Sequence, residues 1–65
     1  MDLEQLKTYR KEVDLALRKH DISRLELALE LNISYVKLSQ YLRGYIEIPE
    51  SILKKIEEIL DLTQL

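Results

Sequence analysis

The chain lacks cysteine, tryptophan and phenylalanine, and its 65 residues include one glycine, one proline and one histidine. Without cysteine no disulfide can staple the fold and no thiolate can hold a metal. A lone histidine, His20, builds neither a metal site nor a catalytic triad. No cofactor and no metal are therefore expected. No run of about 20 apolar residues is present, so no membrane span is expected. The opening MDLEQLKTYR carries acids and has no apolar centre, which is unlike a signal peptide. The absence of cysteine agrees with a reducing cytoplasm. No nucleophile is paired with a base, and no glycine-rich loop is available to cradle phosphate, so neither an enzyme nor a small-molecule substrate is expected. Neighbouring acids such as Glu57 and Glu58 point different ways on a helix and form no dyad.

What is abundant is leucine, glutamate and lysine, which favour an all-α fold. The length suits one domain, 1–65, which at this size buries only about 60% of its unfolded surface. With disulfides and metals excluded, well-packed helices or a partner subunit must stabilise it. The net charge of −2 speaks against a generic nucleic-acid binder. Its distribution matters more than its sum. Residues 1–22 carry five acids and five bases, and residues 47–65 carry five acids and two lysines. Between Leu31 and Ile46 there is no acid, only Lys37 and Arg43.

Four helices are predicted. The first runs from about Leu3 to Lys19, with Asp2 and Gln5 at capping-box spacing and Leu3, Leu6, Val13 and Leu17 on one stripe interrupted by Arg10. Tyr9 and Ala16 flank that stripe, and Leu15 falls off it. The second begins at the box Ser23-x-x-Glu26, with Leu27, Ala28 and Leu31 inward. Ser34 caps the third, which ends near Gly44 and turns Leu38, Tyr41 and Leu42 inward. Pro49 opens the fourth, whose apolar face is Ile52, Ile56, Ile59 and Leu60.

Residues 23–44 carry the pattern with most functional content. Two short helices meet through Asn32-Ile33-Ser34, the spacing of a helix-turn-helix. Ala28 is small where the helix backbones approach. Asn32 tolerates positive φ at the turn. Ile33 anchors the turn, and Leu27, Leu31, Leu38 and Tyr41 repeat at a spacing that packs both helices on one core.

The stretch SRLELALELNISYVKLSQYLRGYIEIPESILKKIEEIL resembles the Cro/C1-type (Xre-like) helix-turn-helix domain of phage and bacterial repressors. Ser23, Glu26, Leu27, Ala28, Leu38, Gly44 and Pro49 carry the likeness. Departures are Arg24 where Gln is common, Asn32 for the usual Gly, and Leu25 and Leu29 where polar residues are usual. The resemblance implies a compact four- to five-helix, lambda-repressor-like domain that binds double-stranded DNA as a homodimer and regulates transcription, as a repressor. It implies base contacts from Tyr35, Val36, Lys37 and Gln40 on the third helix, with Gln40 suited to adenine N6/N7 and Lys37 to guanine O6/N7. Ser23, Arg24, Ser34, Ser39, Arg43 and Tyr45 would hold phosphates and set register.

Plainer readings stand beside these. Lys37, Gln40 and Arg43 also suit an ordinary solvated face. Tyr45 fits equally well beneath Ile48. Leu25 and Leu29, one turn apart, together with Leu60, Leu62 and Leu65, suit either a partner interface or a wider buried face in a five-helix arrangement. The competing function is a protein-interaction module, an antirepressor or regulator partner, that keeps the fold without binding DNA.

Overall fold

Local chemistry at the helix ends sets the architecture. The structure is a computed structural model that describes residues 1–62, with helices α1 (Leu3–His20), α2 (Arg24–Leu31), α3 (Tyr35–Arg43) and α4 (Glu50–Leu60). Asp2 Oδ1 accepts the Gln5 amide at 2.8 Å while Gln5 Oε1 accepts the Asp2 amide at 3.1 Å. Ser23 and Glu26 repeat the exchange at 3.1 and 3.2 Å, so both expected capping boxes form. Ser34 Oγ accepts the Lys37 amide at 3.0 Å; no reciprocal bond closes, because a lysine has no acceptor to return. Pro49 is one position earlier than expected. Its φ of −61° suits a helix but its ψ of 148° is extended, so it precedes the first turn and Glu50 begins it.

Each helix ends on a residue in left-handed backbone: Asp21 (φ 56°), Asn32 (φ 59°), Gly44 (φ 84°) and Asp61 (φ 52°). Asparagine and aspartate reach this region because their short polar side chains bond locally. At Gly44 a second constraint applies. A Cβ there would lie 2.7 Å from Leu6 Cδ2, so glycine lets the end of α3 close onto α1.

All four elements pack around one core, with α2 against α3 and α4, and α1 against α3 and α4. Val13, Leu27, Leu38, Leu42, Ile56 and Leu60 are its most deeply buried large side chains, and Ile48 from the α3–α4 loop joins them. Tyr41 and Ala28 are buried as expected.

Three expectations are corrected by packing. Leu3 is exposed, because the buried stripe of α1 is Leu6, Tyr9, Val13, Ala16 and Leu17, and Leu3 lies about a quarter turn from its centre. Tyr9 and Ala16 belong to the core rather than its flank. Leu60 is only 1% exposed, so it is a core residue of α4 and offers nothing to a partner. Leu62 is half-buried against the same core, and its amide donates to Glu57 O at 2.9 Å. Leu65 lies outside the described residues. There are four helices among those residues, not five, and no further helix covers Leu25 and Leu29, which are 56% and 70% exposed.

Candidate nucleic-acid interface

The turn between α2 and α3 is three residues long, and each has a separate task. The Asn32 amide donates to Leu29 O at 3.1 Å and the Ile33 amide to Ala28 O at 3.0 Å, which closes the end of α2. Ile33 packs half-buried against the core. Ser34 then caps α3. Leu38, Tyr41 and Leu42 bury the inner side of α3, which leaves the opposite side facing outward.

That outer side carries Tyr35, Val36, Lys37 and Arg43, all exposed, with Val36 at 65%. Ser39 and Gln40 are half-buried along its edges. Of the four side chains expected to touch bases, Tyr35, Val36 and Lys37 are exposed in the first turn of α3, and Gln40 follows further along the helix, half-buried at its edge. Lys37 Nζ lies 5.9 Å from the Tyr41 ring centroid, within cation–π reach, so its ammonium leans along the helix face rather than extending freely.

Electrostatics distinguish this helix from its neighbours. Glu4, Glu26 and Glu50 occupy the first turns of α1, α2 and α4, whereas the first turn of α3 has no acid. Its positive dipole end is therefore not offset from within that turn, and Lys37 adds to it. An exposed helix with a positive N-terminus and mixed hydrogen-bonding side chains fits the major groove, which is about 12 Å wide and presents both donors and acceptors.

A family model for the helix-turn-helix domain matches residues 6–63. The chain belongs to the Cro/C1-type helix-turn-helix family. No curated protein and no solved structure matches it. The family is one of DNA-binding transcription regulators. No helix of the described residues is long and apolar enough to cross a membrane.

In this Cro/C1-type domain the residues expected at phosphates fall into two groups. Ser23 and Arg24 lie at the start of α2, while Ser34, Ser39, Arg43 and Tyr45 border α3. Tyr45 is 74% exposed and does not pack beneath the buried Ile48. Arg24 is not a loose cation: its Nε and Nη2 donate to Asp14 Oδ1 at 3.2 and 2.8 Å, and Nη2 also reaches Oδ2 at 3.0 Å. At the same end of α2, Glu26 already takes the Ser23 amide, so an internal carboxylate occupies part of the positive helix terminus.

Sequence reasoning missed two residues near this surface. Asp14 matches no motif in the sequence, yet it anchors Arg24 across α1 and α2. Arg10 interrupts the apolar stripe of α1 for a reason: its Nη1 donates to Leu42 O at 3.4 Å, placing a positive charge at the negative end of α3. The partners are 10 and 32 residues apart on different helices, so no local pattern announces either pair. His20, the last residue of α1, has its Nε2 2.9 Å from Leu60 O, where the ends of α1 and α4 meet.

Proposed function

We propose that this chain is a cytoplasmic transcriptional repressor that binds a specific duplex DNA site as a homodimer, with α3 in the major groove. Tyr35, Val36, Lys37 and Gln40 read base edges, Gln40 at adenine and Lys37 at guanine, with Val36 against a thymine methyl. Ser23, Arg24, Ser34, Ser39, Arg43 and Tyr45 hold the backbone and fix register. The observation that carries this reading is the α3 surface itself: exposed, free of acids, and backed by the buried Leu38 and Leu42. A single copy brings few cations to the phosphates, so its electrostatic contribution is small. Two copies double the contacts and read half-sites about 34 Å apart, one helical turn. Exposed Leu25 and Leu29 are candidates for the contact between copies.

Selection of bound sites from a random duplex library tests this reading. The expected product is a two-fold symmetric sequence with half-sites one turn apart. A pool that never departs from random overturns it.

The exposed Leu25 and Leu29 and the net charge of −2 favour a second reading, a regulator partner or antirepressor that keeps the fold without touching DNA. Its distinguishing result is the absence of duplex binding at micromolar protein and low salt.

A further inference from the structure

Arg24 occupies the first position of α2, where its guanidinium is one of the proposed phosphate ligands. An arginine side chain has roughly 2 kcal/mol of rotamer entropy to lose when it is fixed in place. In this chain much of that ordering is already done. Asp14, on the neighbouring α1, takes Nε and Nη2 in a bidentate grip with contacts of 2.8, 3.0 and 3.2 Å. The pair is partly open to water, with side chains 33% and 39% exposed, so it lies at the surface rather than in the core. A guanidinium has five N–H donors, and this grip leaves both hydrogens on Nη1 uncommitted to Asp14. The planar group keeps those donors at a fixed angle to the ones in use.

We propose that Asp14 is a positioning residue for DNA binding: it holds Arg24 so that Nη1 presents to a backbone phosphate. The inference rests on the DNA-binding reading above. It runs against the simplest electrostatic expectation. Asp14 is an acid beside a proposed phosphate contact, so long-range repulsion alone says that removing its charge tightens binding. Pre-organisation says the opposite, because a freed Arg24 must lose its rotamer freedom again on the DNA.

The sign of one substitution separates these. Duplex affinity is measured for the unchanged chain, Asp14→Asn, Arg24→Gln and the double variant, at one low salt concentration, with helical content checked for each. The expected result is that Asp14→Asn weakens binding several-fold on every sequence alike, and that Arg24→Gln weakens it about tenfold, as the loss of one charge-assisted hydrogen bond implies. In the Arg24→Gln background, Asp14→Asn then produces no further loss, because Asp14 acts only through Arg24. Asp14→Ser also removes the carboxylate and is expected to show the same loss; it serves if Asp14→Asn disturbs the fold. Tighter or unchanged binding by Asp14→Asn, or an equal loss in both backgrounds, overturns the positioning role while leaving DNA binding intact. Failure of the unchanged chain to bind any duplex overturns the DNA reading itself and this inference with it.

Discussion

Gln40 and Arg43 lie near one another on α3 yet are assigned opposite kinds of work, which single substitutions can separate. Gln40→Ala is expected to relax the preference at one base pair, by about 1–3 kcal/mol of discrimination. Arg43→Ala is expected to weaken all sequences alike and to lower the salt dependence by about one phosphate contact. Competition binding with matched and mismatched duplexes checks both, and equal losses of specificity from the two contradict the assignment. Tyr9 carries a separate prediction. Its hydroxyl is buried without a hydrogen-bond partner among the described residues. Burial, helped by the negative charges of Glu57 and Glu12, pushes its pKa from 10.0 up to about 12. As pH passes 10 the unfolded chain releases this proton while the folded chain keeps it, so stability falls with rising pH. The contribution is whole below pH 10 and is lost by about pH 12. Tyr9→Phe is expected to flatten the fall in melting temperature across that window and, at neutral pH, to be close to neutral, since no bond is broken. An unchanged alkaline slope contradicts this.

At the scale of elements, what was legible in the sequence was local. The capping pairs Asp2 with Gln5 and Ser23 with Glu26 are separated by three residues, and both form as spaced. Asn32 and Gly44 close α2 and α3 in left-handed backbone, as the turn chemistry implies. Two substitutions test that chemistry by thermal unfolding. Asn32→Gly is expected to leave stability nearly unchanged, since glycine adopts positive φ freely. Gly44→Ala is expected to lower it by at least about 1 kcal/mol, because left-handed strain adds to a collision with Leu6. A larger loss from the first than from the second contradicts the account of both turns. What the sequence did not disclose was tertiary. Leu60 reads equally well as the last residue of an apolar face or the first of a sticky tail, and only the packing of α4 against α1 and α2 decides for the core. Leu3 has the right spacing for the α1 stripe but the wrong rotation. Asp14 meets Arg24 and Arg10 meets Leu42 across helix boundaries, where periodicity carries no information.

For the molecule as a whole, overall charge and local surface pull in different directions. A net charge of −2 would keep a uniformly charged body away from DNA. The acids, however, are gathered in residues 1–30 and 47–61, and the α3 face has none. On the proposed reading the acid-free face approaches phosphates, and with few cations per copy the salt dependence is modest and grows with the number of copies bound. Exposed Leu25 and Leu29 on α2 and half-buried Leu62 beyond α4 leave apolar surface available for joining copies. The central claim is that the outer face of α3 is the surface that meets DNA. Its most direct test is a titration of the isotope-labelled chain with a selected duplex, followed by nuclear magnetic resonance at each backbone amide. The account predicts that the largest shifts fall at Tyr35, Val36, Lys37 and Gln40, with smaller ones at Arg24 and Arg43. Shifts confined to Leu25 and Leu29, or none at micromolar duplex, would contradict it.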